Sequence, residues 1–299
     1  MPLTHHLSPV QVAEILRVHQ STVKRWVDDG TIPASKTPGG HRKIALADLL
    51  RLVRERKLPS VSVDLSVVER YSSGLDLAAQ PLDTLRSNLR DAMSANYPTR
   101  VHQLLLRCFQ AGMTIEQMGD DLIQPVMEEI GKAWVSGQTD VAQEHLGTSY
   151  LHAALIDLRN RLLPIDGIPR PIALGACPEG DFYSLGNLLV QLLLLQNGWQ
   201  VINIGPNTPA ASLAHMMERQ QAKLVWLTCS YLQDPERFVN ECNQLHHKAT
   251  ELGTQLFLGG QALTTDVRRK LHYHWIGESL SQFSLAAKRL LPLSGANPQ

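Results

Sequence analysis

The chain has 299 residues, enough for two or three domains that each bury a core of their own. Hydrophobic residues make up 43% and charged residues 19%, the balance of an ordinary soluble globular protein. The net charge of zero hides a division. Residues 1–58 hold ten Lys and Arg against five Asp and Glu, while the remainder holds eighteen against twenty-three. A basic head on an acidic body points to a polyanionic partner for the head alone.

The cysteines, Cys108, Cys177, Cys229 and Cys242, form no CxxC pair, which speaks against a disulfide framework or a zinc site and for a reducing compartment. The N-terminus, MPLTHHLSPV, lacks the basic and apolar regions of a signal peptide. The most apolar run, 188–195, is broken by Gln191 and is too short to span a bilayer. These features predict a soluble, cytoplasmic protein with no membrane partner.

In PVQVAEILRV, Val12, Ile15 and Leu16 recur at helical spacing behind Pro9, which suits a first turn. After a short turn, STVKRWVDDG predicts a second helix closed by Gly30. Its Val23, Trp26 and Val27 share one face, leaving Thr22, Lys24 and Arg25 outward, where a recognition helix meets base edges and phosphates. IPASKTPGGHRKIAL predicts a hairpin about Pro38-Gly39-Gly40, with Lys36, His41, Arg42 and Lys43 placing charge beside a tight tip. ADLLRLVRERK closes the unit as a third helix. Taken singly, these charges are ordinary solvated surface; together, helix, turn, helix and basic wing over residues 1–58 resemble the MerR-type winged helix-turn-helix. That resemblance implies binding to a double-stranded DNA operator by a homo-oligomer, a dimer or tetramer, because one small module contacts too few bases.

Residues 59–78 lack sustained periodicity and read as a linker. From 79 to 166 the pattern is helical, with breaks at Asn96-Tyr97-Pro98, Gly112 and Gly137, which predicts a four-helix bundle. Over 167–299, PIALGAC, QVINIG, KLVWLTCS, TQLFLGG and HYHWIGE are apolar runs of strand length, alternating with helical segments of roughly 10–20 residues. This predicts a doubly wound, Rossmann-like parallel sheet.

A bundle followed by such a sheet suggests a ligand held between them at the carboxyl ends of the strands. Three features bear on it. Trp134 is followed by nine residues and then Glu144-His145, on a helix that Asp140 can cap, and His145, Ser149 and His152 form a polar stripe. The loop after the first strand, PEGDFYSLG, holds Asp181, Tyr183, Ser184 and Gly186. The third strand ends in Thr228 and Cys229, and the fourth in Gly259, Gly260 and Gln261, where glycines let a backbone approach closely. Each alone has an ordinary reading: bundle core for Trp134, a turn for the glycine pair, a small core residue for Cys229. His246, His247, His272 and His274 read as surface or strand histidines.

Together these features resemble the cobalamin-binding module of methionine synthase, and with the head they resemble the CarH/LitR family of light-sensing repressors, from about residue 7 to residue 291. The resemblance implies adenosylcobalamin between bundle and sheet under a bundle tryptophan, tetramers bound to DNA in the dark, and disassembly in light. Two positions depart from it. The loop histidine that would ligate cobalt from below is Tyr183, and the histidine after the bundle tryptophan is Val135. A phenol is a poor cobalt ligand and valine is none. The ligand is then cobalamin carrying its own base, cobalamin without an axial ligand from the protein, or another tetrapyrrole such as haem, ligated by Tyr183, or biliverdin, anchored at Cys229 or another thiol. A pocket kept only for assembly is a further alternative. No nucleophile with its base and no phosphate loop stands out, and no residues remain for a substrate barrel, so a ligand-responsive transcription regulator, by resemblance a repressor, is expected and an enzyme is not.

Overall fold

The computed structural model describes residues 6–36, 42–55, 58, 80–137, 140–164 and 169–291. The chain divides into two compact units, 1–79 and 80–299. The expected linker, the wing tip and His41 lie outside the described residues.

In the first unit, β1 (His6–Leu7) leads into α1 (Pro9–Leu16). Ser8 and Gln11 cap that helix reciprocally, and Pro9 opens it because its missing N–H is one the first turn leaves unpaired. Helix α2 (Gln20–Asp28) follows, then the hairpin strands β2 (Ser35–Lys36) and β3 (Arg42–Ala45), then α3 (Leu46–Arg54). Strand β3 pairs antiparallel with both β2 and β1, so a third strand completes the predicted wing. Val12, Ile15 and Leu16 of α1 pack with Val23 and Trp26 of α2 and with Ile44 and Leu49, one core that fixes the angle of α2 and the root of the wing.

The second unit opens with α4 (Leu82–Ser94) and α5 (Pro98–Gln110). A third helical rod runs through α6 (Ile115–Gln117), a π-helical stretch (Met118–Ile123) and α7 (Gln124–Val135), and α8 (Val141–Leu162) is the fourth. Leu89, Leu105, Met118, Leu122, Val126, Leu151 and Leu155 form the interior of this four-helix bundle. Asp140 caps α8 by accepting from the Ala142 amide at 2.7 Å.

The sheet consists of β4 (Ile172–Pro178), β5 (Gln200–Thr208), β6 (Leu224–Thr228), β7 (Gln255–Gly259) and β8 (Trp275–Gly277), all parallel, in the order β5-β4-β6-β7-β8. The helices between and after them are α9 (Leu185–Gln196), α10 (Ala210–Gln220), α11 (Pro235–Glu251), α12 (Thr265–Arg268) and α13 (Leu280–Lys288). The connection before β8 therefore carries one helical turn, shorter than the 10–20 residues expected. One face of the sheet buries Leu213 and Met217 of α10 and Phe238, Val239 and Leu245 of α11. Helix α9 lies on the other face and against α8, and residues 187–195 are buried all round, the condition of a helix covered on every side. That enclosure explains the apolar run, which only Gln191 breaks.

Bundle and sheet are joined firmly. Asp120, in the π-helical stretch, accepts from the backbone amides of Leu280 and Ser281 at 2.8 and 2.9 Å, capping α13 with a carboxylate. Ser284 and Lys288 of α13 turn back to Glu116. Burial works against the charge on Glu116, but its hydrogen bonds, led by Ser284, outweigh it and hold the carboxyl below its usual pKa.

Candidate DNA interface and cofactor site

On α2, Lys24 and Arg25 are exposed and Thr22 is half-buried beside them. Lys43 of β3 is exposed. Arg42 is committed within the head: its Nη2 lies 2.6 Å from Asp28 Oδ1 and its Nε 3.2 Å from the same oxygen, tying the wing to the end of α2. Sequence spacing could not show that pairing, because Asp28 and Arg42 are brought together by the fold. Lys36 pairs in the hairpin through its backbone.

In the second unit, the strand order reverses between β4 and β6, so the crevice of a doubly wound sheet opens at their carboxyl ends. Asp181 sits in that crevice, fully buried. One carboxylate oxygen accepts from the amides of Ser230 and Tyr231, at 2.7 and 3.2 Å, and the other from the amide of Tyr183 at 2.9 Å. Its carbonyl accepts from the Asn207 amide at 2.9 Å. One side chain thus joins the loops after β4 and β6, and bonds of this kind to an ionised acceptor are the strong ones.

The glycine pair has a packing reason of its own. Gly260 has φ +119°, and a Cβ there would lie 2.3 Å from the carbonyl oxygen of Cys229. The Cys229 amide donates to Gly259 at 2.8 Å and its carbonyl accepts from Ala262 at 3.0 Å, so the loops after β6 and β7 lie backbone against backbone. Gln261 Nε2 reaches the Ser230 carbonyl at 3.5 Å. Cys229 itself belongs to the core against α10 and α11, and burial pushes its thiol well above the usual cysteine pKa. The alternative in which Cys229 anchors a bilin is corrected: the side chain is enclosed, as the core reading has it, and is held as an inert thiol. Thr228 is buried beside Cys177, with 3.4 Å between Oγ1 and Sγ.

Around the crevice the surface is aromatic. Tyr183 is 65% exposed, Phe182 69% and Tyr231 49%. On the bundle, Trp134 is 51% exposed at the end of α7, so the reading of it as bundle core does not hold. Near it, Ala133 and Gln143 line a hollow of about 80 Å³ with Met93 and Gly147. Glu144 accepts from Thr148 Oγ1 at 2.8 Å, and exposed His145 lies 3.4 Å from the same carboxylate. From the stripe on α8, it is His152 that reaches across: its Nε2 lies 2.9 Å from Ser184 Oγ, joining the bundle to the Asp181 loop. Burial lowers the His152 pKa, favouring the neutral ring. Gly186, at the start of α9, has open space where a Cβ would stand.

Elsewhere, His246 packs on His274 and His272, with ring centroids 4.5 and 5.9 Å apart. Among the described residues no group of three or more His, Cys, Asp or Glu is placed to hold a metal ion. No described helix is long and apolar enough to cross a membrane.

Comparison with known proteins bears on both units. The helix-turn-helix domain family matches residues 7–57, and the B12 binding domain family matches residues 85–158. The transcriptional repressor CarA of Myxococcus xanthus is 27% identical, over 77% of this chain and 78% of that protein. CarH of the same organism is 25% identical, over 84% of this chain and 87% of its own length. Methionine synthase of Mycobacterium tuberculosis is 25% identical over 46% of this chain, but that stretch is only 12% of the enzyme. Among solved structures, the monomethylamine corrinoid protein of Methanosarcina barkeri shares the fold, with a TM-score of 0.55 and 16% identity over 71% of this chain and all of that one. The chain thus matches a helix-turn-helix domain family and, further along, a B12 binding domain family, and is similar to the CarA and CarH repressors along most of its length.

Proposed function

We propose that this protein is a DNA-binding transcription repressor whose second unit senses a cobalamin, and that cobalamin occupancy sets its assembly and thereby its affinity for an operator. The observation that carries the reading is the Asp181 crevice. It lies at the reversal of strand order, is rimmed by exposed aromatic rings, and is linked through Ser184 to His152 of the bundle. The residues also fit the group. A corrin ring presents broad flat faces, and the exposed rings of Trp134, Phe182, Tyr183 and Tyr231 offer flat faces to meet them. When bound, adenosylcobalamin supplies a cobalt–carbon bond that light can break.

The chain's own residues do the rest. Asp181 holds the two crevice loops in one conformation. His152 and Ser184 let the bundle register any movement of the first of these loops, and a bundle surface so displaced shifts subunit association. DNA affinity follows from the number of heads bound together, with Lys24, Arg25 and Lys43 meeting phosphates or base edges and Arg42 fixing the wing. Similarity to repressors along most of the chain supports regulation over enzymatic work, and the matches give no support to a haem or a bilin. The test is gel filtration and operator binding with and without adenosylcobalamin, in darkness and after illumination. Assembly state and operator affinity are expected to change together. One unchanged assembly state under all four conditions overturns the proposal.

A further inference from the structure

The space under the crevice, between β4, β6 and α9, is closed by a single large side chain. Trp226 lies two residues below the end of β6 and is 1% exposed. Its indole fills the place a side chain on Gly175 of β4 would need: a Cβ there would stand 1.9 Å from Trp226 Cε2. The indole Nε1 donates to Asn187 Oδ1 at 2.7 Å. Asn187 Nδ2 donates in turn to Asn203 Oδ1 at 3.1 Å, and Asn203 Nδ2 to Gln191 Oε1 at 3.1 Å. Cys177 Sγ closes the set, 3.5 Å from Asn187 Nδ2 and 3.4 Å from Thr228 Oγ1. The indole N–H and the side-chain amides of Asn187 and Asn203 are all turned to neighbours, so opening this layer would break a linked network and not merely displace a ring.

A cobalamin carries a nucleotide whose base either stays on the lower face of the cobalt or leaves it. A base that leaves needs a slot within the protein, and the cobalt then takes a protein ligand or none. At the crevice the loop presents a phenol, Tyr183, which is a poor ligand for cobalt. Beneath it, the floor is occupied by Trp226 and Asn187. Resting on the cobalamin reading above, we infer that this protein takes the corrinoid with its own base still on the cobalt, seated on a closed floor, and that Trp226 is the residue that selects this form. The base then stays among the exposed rings of Phe182, Tyr183 and Tyr231 instead of entering the sheet.

The test uses the full chain, uniformly labelled with ¹⁵N, loaded with unlabelled cob(II)alamin and read by electron paramagnetic resonance. A nitrogen on the cobalt axis splits the lines, into triplets for the cofactor's own ¹⁴N and into doublets for a ¹⁵N of the protein. Triplets are expected. Doublets, or lines without nitrogen splitting, mean that the base has left and overturn the inference while leaving cobalamin binding intact. A sample that retains no corrinoid overturns the functional reading and the inference with it. Tyr183→His, at an exposed position, isolates the role of the floor. Triplets are expected to persist, because an imidazole alone makes no room for the base, and conversion to doublets in this variant refutes the assignment to Trp226.

Discussion

Asp181 is the sharpest point at which to perturb the structure. Its buried carboxylate accepts three backbone N–H groups, from Tyr183, Ser230 and Tyr231. Asp181→Ala removes the acceptor from all three. The Tyr183 and Tyr231 amides lie in loops with exposed side chains and can turn to water, whereas the Ser230 amide, bonded at 2.7 Å, sits against the buried end of β6. Losing one strong bond to a charged group and two weaker ones is worth about 3 kcal/mol. For a unit of this size that corresponds to roughly 6–12 °C in Tm. Scanning calorimetry of the full chain resolves it, since the helix-turn-helix unit should keep its own transition. Asp181→Asn, which retains an acceptor oxygen, should fall by about a third of that. If Asp181→Ala melted like the native chain, the two loops would not be joined through this carboxylate, and the crevice as described would be wrong.

Further outcomes follow from individual contacts. Gly260→Ala forces a side chain into a positive-φ conformation and against the Cys229 backbone, and should destabilise the second unit by about 2 kcal/mol or more, read as a lower denaturation midpoint. The neutral ring favoured at His152 makes its contribution present above the ordinary imidazole value of 6.5 and lost as pH falls through the lowered folded value. The native chain should therefore lose more Tm than His152→Gln on going from pH ~7.5 to ~5.5, and equal losses would remove His152 from the account. Lys24→Ala should weaken operator binding similarly across sequences and reduce the slope of log affinity against log salt by about one. An unchanged slope would mean that Lys24 meets no phosphate.

Much of this architecture was legible in the sequence because its signals are local. Pro9, Gly30, Asn96, Gly112 and Gly137 mark where helices start or stop, and all five parallel strands fall on the apolar runs that predicted them. Long-range contacts were not legible. The Arg42–Asp28 pair, the His152–Ser184 contact and the third strand of the wing join residues between 14 and about 40 positions apart, which no local periodicity reports. Gly259-Gly260 signalled a close approach correctly, but the backbone approached is that of Cys229. Trp226 carried no signal at all: in a strand buried on both faces, nothing in the string KLVWLTCS says which side chain lies under the crevice. The exposed rings of Phe182 and Tyr231 left no sequence signal, because exposure of an aromatic ring is a property of the folded loop.

The central claim, that the second unit holds a cobalamin, is tested most directly by uptake. The full chain is incubated with adenosylcobalamin in darkness, passed through a desalting column, and its visible spectrum is read before and after illumination. The account predicts that corrinoid elutes with the protein in equimolar amount and that its spectrum changes in light. Colourless protein, with all the corrinoid in the small-molecule fraction, would contradict it.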